Sequence, residues 1–113
     1  MERKYKSLKD FYPYYLTEHQ NLVSRALHFF GTGGFIFITV FSILTQNWIY
    51  LLLGPLCGYG FAWIGHFIFE KNKPATFQYP LFSLASDFIM FYDIITFRIG
   101  KKLKAAKNQT GTQ

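Results

Sequence analysis

The stretch from Trp48 to Phe69, WIYLLLGPLCGYGFAWIGHFIF, contains no aspartate, glutamate, lysine or arginine. A helix of about 20 such residues crosses the hydrocarbon core of a bilayer. His66 lies near the end of the stretch, and Glu70 follows it directly. An ionisable side chain inside an apolar helix is costly and usually faces a partner, a cavity or a site. Because His66 and Glu70 are four residues apart, a helix places them on one face, which predicts a metal or proton-transfer site at a membrane boundary.

The composition of the chain also indicates a membrane protein. Of its 113 residues, 50% are hydrophobic and 21% are aromatic, and the net charge is +6. Aromatic side chains are enriched at membrane–water interfaces. Nine of the 12 basic residues lie near the two ends of the chain and flank the apolar runs: Arg3, Lys4, Lys6, Lys9, Arg98, Lys101, Lys102, Lys104 and Lys107. This placement favours attraction to anionic lipid headgroups over nucleic-acid binding, so no nucleic-acid partner is expected.

Two further features concern processing and covalent links. The single cysteine, Cys57, excludes an internal disulfide. The first ten residues are polar, so no cleavable signal peptide is expected.

A second apolar run, Phe29 to Thr45, precedes the first and is separated from it only by Gln46 and Asn47. This arrangement predicts a transmembrane helical hairpin. Small residues recur every four positions in the second arm and lead to the polar pair: Gly54, Gly58 and Ala62. Such a stripe lets another helix approach closely.

The segments around the hairpin predict three further elements. Phe11 to Tyr15 (FYPYY) is an aromatic cluster suited to an interface. Thr17 to Phe30 reads as an amphipathic helix that Thr17 caps. After a polar loop from Lys71 to Tyr79, Pro80 can start a last helix that runs to about Ile99.

The basic residues predict the topology. The positive-inside rule places both termini in the cytoplasm, so the last segment is re-entrant, interfacial or packed against the hairpin, with full spanning as the alternative. The predicted fold is an all-α, small integral membrane helical bundle with an amphipathic N-terminal helix and a transmembrane hairpin. We expect a basic tail over residues 1–10, one membrane domain over 11–99 and a basic polar tail over 100–113.

The three histidines, His19, His28 and His66, all lie at or near apolar segments. They could be hydrogen-bonded histidines at a headgroup boundary, or they could converge with a carboxylate on Fe or Zn. The candidate carboxylates are Glu18, Glu70 and Asp87. His19 and His28 are nine residues apart, which is about 180° around an ideal helix. They can share a site only if the helix begins after His19 or bends, so the Thr17 cap conflicts with a site of three histidines.

Four polar residues near these histidines are candidates for binding a substrate or supporting the site. Asn21 and Arg25 could support a ligand or bind a substrate carboxylate, although Arg25 could equally reach a lipid phosphate. Asn72 and Lys73 could contact a headgroup, or Asn72 could simply shape the loop. No Walker loop, dinucleotide fingerprint, nucleophile elbow or CxxC pair is present.

Two long motifs give the chain a resemblance to a known family. TEHQNLVSRALHFFGT (Thr17–Thr32) and GYGFAWIGHFIFEKNKPATFQYPLFSLASDFIMF (Gly58–Phe91) resemble the Mpo-like family of small membrane proteins. The chain departs from the family pattern at Leu22 and Ser24, where members often have proline and asparagine, and it is a short form.

This resemblance implies an activity and a set of site residues. The best-studied fungal members are endoplasmic-reticulum Fe(II)-dependent dioxygenases that shorten 2-hydroxy fatty acids by one carbon. By resemblance, His19, His28 and His66 would bind the metal and act in catalysis, and Glu70 would be a further ligand or orient one, with Asp87 competing for that role.

The resemblance also implies the partners. The substrate would be a 2-hydroxy fatty acid with O₂, and no 2-oxoglutarate is expected because the substrate can supply the electrons. Membrane lipid is the other expected partner, with a possible homo-oligomer, in a bacterial inner membrane or the endoplasmic reticulum. The alternatives are a non-enzymatic membrane protein that binds lipid or a partner, and another metal-dependent lipid enzyme, for example one that uses Zn.

Overall fold

The computed structural model describes residues 4–110, and all of the regular structure in that range is helical. It contains five α-helices, which confirms the prediction of an all-α bundle: α1 (Leu8–Thr17), α2 (Leu22–Thr45), α3 (Leu53–Ile64), α4 (Pro80–Ile95) and α5 (Ile99–Thr110). Short 3₁₀ turns cover Trp48–Leu52 and Ala75–Phe77, and a π-helical turn covers Gly65–Glu70.

The predicted helix from Thr17 to Phe30 is wrong at its start. Thr17 ends α1, which Ser7 caps, and α2 begins five residues later at Leu22. The side chain of Asn21 caps α2, because its Oδ1 accepts hydrogen bonds from the backbone N–H groups of Val23 and Ser24. The helix then continues without interruption through the second apolar run to Thr45.

The predicted hairpin is present, and its turn has the expected position. Gln46 takes the left-handed conformation (φ 58°) that ends α2, and the Ser42 hydroxyl donates to the Asn47 carbonyl. The returning arm packs closely against α2. A Cβ atom placed on Gly31 would lie 3.0 Å from the Gly58 carbonyl oxygen, so the stripe of small residues permits the close approach.

The returning arm changes its helical form where it reaches His66. Gly65–Glu70 is a π-helical turn, and Lys71 (φ 59°) ends it in the left-handed conformation. The backbone N–H of Asn72 then donates to the His66 carbonyl over 3.0 Å. Such turns widen the helix locally and are frequent at functional sites.

The hydrophobic core lies outside the hairpin, between α1, α4 and α5. Phe11 and Tyr15 are buried in it, although the FYPYY cluster was expected at a membrane interface. The segment assigned to a C-terminal tail forms α5, whose Leu103 and Ala106 are also buried in this core. Lys102 joins it to α4 through a salt bridge of 2.9 Å to Asp93. The predicted domain boundaries themselves stay predictions.

Only two helical segments in residues 4–110 are long and apolar enough to cross a membrane, Leu22–Thr45 and Trp48–Glu70. α4 has 16 residues, which gives a helix of about 24 Å and falls short of the roughly 30 Å hydrocarbon core. α4 packs against α2, as expected for a last segment that lies along the hairpin.

Candidate metal centre

The three histidines meet where the hairpin joins the core. His19 lies in the turn between α1 and α2, His28 lies in the second turn of α2, and His66 lies in the π-helical turn. Their exposed fractions are 0%, 3% and 3%. One ring nitrogen from each lies within 4.8 Å of the other two. Because α2 begins after His19, the opposition of His19 and His28 around one helix does not arise.

Each imidazole is oriented through its Nδ1 atom. Nδ1 of His19 lies 2.6 Å from the Tyr15 carbonyl oxygen, and Nδ1 of His28 lies 3.0 Å from the Ser24 carbonyl oxygen. A carbonyl oxygen only accepts, so both Nδ1 atoms carry the proton and donate it. Hydrogen bonds of this kind fix the tautomer of metal-binding histidines and aim the other nitrogen at the ion.

His66 is held in the same way by Asn72. Its Nδ1 donates to Asn72 Oδ1 over 2.6 Å, and the Asn72 amide nitrogen donates to the Glu18 carbonyl over 3.1 Å. The second hydrogen bond fixes which amide atom faces the histidine. All three neutral rings therefore present an unprotonated Nε2.

The close approach of these nitrogens suits a bound cation. The Nε2 atoms of His19 and His28 lie 3.0 Å apart, and both are lone-pair acceptors when Nδ1 carries the proton. Two acceptors at this distance repel each other unless a proton or a metal ion lies between or beside them. Burial lowers the pKa of His19 well below its usual value, and the neighbouring imidazoles lower it further. A metal ion, which binds the neutral rings, fits this donor set better than a proton does.

Glu70 contacts the scaffold of the site and not its centre. Its Oε2 accepts from the backbone N–H of Asn21 over 2.9 Å, and it lies outside the group of potential metal ligands in the described chain. The predicted ligand role of Glu70 therefore has no support in the geometry. The carboxylate ties the end of the returning arm to the start of α2.

Arg25 and Asn72 also support the site, which for Arg25 is one of the roles that the sequence left open. Arg25 Nη1 donates to the carbonyls of His19 and Gln20, each over 2.8 Å, and so fixes the turn that carries His19. Asn72 positions His66, and Asn21 caps α2. Lys73 is exposed. The sequence did not indicate the role of Asn72, because residues six apart do not share a face of a regular helix.

Asp87 and Tyr15 adjoin the centre from the core side. The Tyr15 ring stacks on His19 with 4.1 Å between ring centroids, and its hydroxyl donates to Asp87 Oδ1. Burial raises the pKa of Asp87 to about 7. Asp87 also lies outside the group of potential ligands, but it lines a small cavity together with His28 and His66. No sequence signal indicated a role for Tyr15 at the site, because its aromatic cluster was assigned to a membrane interface.

Two cavities open from the centre. The larger one, about 270 Å³, lies between α2, α3 and α4 and has mostly apolar walls. A smaller one, about 10 Å³, lies against both His28 and His66. Four residues line both cavities, namely His28, Tyr59, Ala62 and Asp87, so the two spaces adjoin each other at the centre. This arrangement offers a long apolar ligand a place for its chain and a polar end beside the histidines.

Comparison with known proteins identifies a family. A family model described as "2-hydroxy-palmitic acid dioxygenase Mpo1-like" matches residues 5–99, which is most of the chain. No curated protein and no solved structure gives a significant match.

Proposed function

This chain belongs to the Mpo1-like family, and on that premise we propose that it is a membrane-embedded, Fe(II)-dependent dioxygenase that shortens 2-hydroxy fatty acids by one carbon. The observation that carries the proposal is the convergence of three neutral imidazoles, each with Nδ1 bound to an acceptor and Nε2 turned inward. Imidazole suits Fe, Zn, Cu and Ni, so the donor set fits iron without selecting it. A bound ferrous ion would supply the redox chemistry with O₂ that protein side chains lack.

The larger cavity supports an acyl substrate. Its walls are mainly apolar and include Phe35, Leu84 and Phe88. Burial of apolar chain contributes about 0.8 kcal/mol per methylene, so a long acyl chain would supply much of the binding free energy. His28 and Asp87 at one side of the cavity would then lie beside the polar head.

The surface supports a membrane location. The two candidate spans are only 22% buried, whereas the core helix of a soluble protein is mostly buried. Large apolar side chains along them are exposed, for example Leu44 (79%) and Leu56 (69%). Exposed apolar side chains in this number support contact with lipid. We propose an integral membrane protein with both termini in the cytoplasm.

The overall reaction balances without a second organic substrate. A 2-hydroxy acid loses its carboxyl carbon as CO₂, its second carbon becomes the new carboxyl, and one O₂ is reduced with release of one water. The oxidation of the substrate supplies all of the electrons, so 2-oxoglutarate is not required. The protein residues would bind the acyl chain, hold the head at the centre and exclude water.

The test is product analysis with purified, iron-loaded protein in detergent. With 2-hydroxypalmitate and O₂ we expect the acid one carbon shorter together with CO₂, and no product from palmitate. His28→Gln should abolish turnover, whereas Thr45→Ala, at the far end of the same helix, should retain it. Equal turnover in the His28 variant, or none in the wild type with iron bound, would contradict the proposal.

A further inference from the structure

The hydroxyl of Ser83 is buried without a hydrogen-bond partner. The residue is 2% exposed, and it lies one helical turn before Asp87 on α4. Buried hydroxyls are almost always paired, because an unpaired one keeps the full cost of its desolvation. An unpaired hydroxyl in a native protein therefore calls for a ligand or a water.

The surroundings of Ser83 show where that ligand would lie. Ser83, Asp87 and Tyr15 line the smaller cavity together with His28 and His66. The volume of about 10 Å³ is close to that of one small polar group or one water. Because the cavity adjoins the larger apolar one, the polar group of a long-chain ligand could lie there while its chain occupies the larger space.

We propose that Ser83 and Asp87 form a subsite that binds the hydroxyl group of a hydroxylated acyl ligand. The Asp87 carboxylate, which Tyr15 orients, would accept the hydrogen bond from the ligand hydroxyl, and the Ser83 hydroxyl would donate to the ligand oxygen. A fatty acid without this hydroxyl leaves Ser83 unpaired. The subsite therefore selects hydroxylated over plain fatty acids, a specificity that rests on the proposed function.

Ser86 provides a matched control on the same helix. Its hydroxyl is also buried (0% exposed) and without a partner, but it lines neither cavity of the centre. Removal of either hydroxyl eliminates an unpaired buried group, so Ser83→Ala and Ser86→Ala should both keep or raise the Tm. Only Ser83→Ala should change ligand selection.

The experiment measures binding without turnover. Full-length protein in detergent, kept free of O₂, is loaded with a fluorescent fatty acid, which is displaced by 2-hydroxypalmitate or by palmitate. We expect the wild type to prefer 2-hydroxypalmitate, and Ser83→Ala to reduce that preference roughly three- to tenfold, the value of one neutral hydrogen bond. Asp87→Asn should reduce it as well, and Ser86→Ala should leave it unchanged.

The outcomes separate this proposal from the proposed function. No preference in the wild type, an unchanged preference in Ser83→Ala, or an equal change in Ser86→Ala would overturn the subsite. A preference that depends on Ser83 in a protein that forms no shortened product would support the subsite and contradict the dioxygenase activity. Shortened product with no effect of Ser83→Ala on ligand selection would support the dioxygenase activity and overturn the subsite.

Discussion

The two halves of α2 differ in burial, because all of its buried residues except Ser42 lie in the N-terminal half. In the N-terminal half, polar residues are buried: Ser24 at 0%, His28 at 3% and Thr32 at 8% exposure. In the C-terminal half, large apolar residues are exposed, including Phe37 at 70% and Leu44 at 79%. A helix of a soluble protein shows the reverse order.

This difference shows what surrounds each half. The N-terminal half contacts α4 and the π-helical turn, and its His28 meets His19 and His66 there. The C-terminal half packs against the returning arm, and Phe35 also contacts Phe88 of α4, but several large apolar side chains of this half stay exposed. One helix therefore supplies a candidate metal ligand to an enclosed polar centre and presents an apolar surface that suits lipid.

A charge placed on the exposed half of α2 should have the largest effect, because it would oppose insertion into a membrane. Phe37→Arg replaces an exposed side chain, which would change the stability of a soluble protein by no more than about 0.5 kcal/mol. In a bilayer the same charge near a helix centre costs about 2.5–3.5 kcal/mol. We expect a large loss of membrane-inserted protein, measured as the fraction that resists alkaline extraction.

Phe97→Arg is the control for this test. Phe97 is 93% exposed but lies between α4 and α5, outside both candidate spans. The Phe97→Arg variant should insert into the membrane as the wild type does. Normal insertion of Phe37→Arg would show that the exposed half does not face lipid.

The second largest effect is expected from Asn72→Ala, which should weaken metal binding at the enclosed centre. The variant removes the acceptor that orients His66, and the loss of such a partner lowers metal affinity about 10–100-fold. Asn72→Asp, which keeps an acceptor for His66, should retain more affinity than Asn72→Ala. The affinities can be compared by competition with a chelating indicator. Asn108→Ala on α5 is the control, and an equal affinity in all three variants would exclude a positioning role for Asn72.

Acid should destabilise the enclosed half of the metal-free protein. The pKa of His19 is lowered on folding, so below about pH 6.5 the unfolded chain binds a proton that the folded chain resists. Stability should therefore fall as pH drops from about 6.5 toward the folded pKa, by up to about 1.4 kcal/mol per pH unit.

The contribution of His19 can be isolated by difference. Denaturant melts compare the wild type with His19→Gln, both stripped of metal. Both proteins share the opposite contribution of Asp87, whose raised pKa makes stability fall as the pH rises from about 4 to 7. The gap between the two curves should shift with pH in favour of the variant under acid conditions. A gap independent of pH would contradict a buried neutral His19.

A methyl group added at the interface between the two arms of the hairpin should have the smallest effect. A Cβ atom on Gly31 would meet backbone across the interface, whereas one on Gly60 would meet nothing within 4 Å. Overpacking costs about 1–3 kcal/mol, and alanine gains up to about 1 kcal/mol in helix propensity. Gly31→Ala should therefore have a lower Tm than Gly60→Ala. The reverse order would mean that the helices separate without cost.

Much of the fold follows from the sequence alone. The two apolar runs, the Gln46–Asn47 turn and the start of α4 at Pro80 all lie where hydropathy and turn chemistry place them. The small-residue stripe also predicted the face of close approach. These features depend on local pattern, which a sequence displays directly.

The features that the sequence did not predict depend on tertiary contacts. Thr17 has the chemistry of a helix cap, but Asn21 takes that role because Arg25 and Glu70 fix the turn around it. The lysine-rich sequence of α5 resembles a polar tail, because the burial of Leu103 and Ala106 depends on their packing in the core beside α1.

The candidate site also contains features that the sequence predicts and features that depend on tertiary contacts. The three histidines could be selected because each lies in apolar sequence, where an ionisable residue is costly. The hydrogen-bond partners of the histidines could not be predicted from the sequence. Two of them are backbone carbonyls, and the third is Asn72, which a π-helical turn brings to His66. Glu70 has the right spacing from His66, yet its carboxylate turns to the start of α2.

Metal analysis of the purified protein is the most direct test of the three-histidine centre. Protein made in iron-supplemented cells and purified without O₂ should contain about one Fe per chain. His66→Gln should lose most of it while Thr45→Ala retains it, with equal helicity by circular dichroism in all three proteins. Metal-free wild type, or a His66→Gln variant with the same iron content, would contradict the centre. Zinc in place of iron would support the three histidines as ligands and contradict the proposed dioxygenase chemistry.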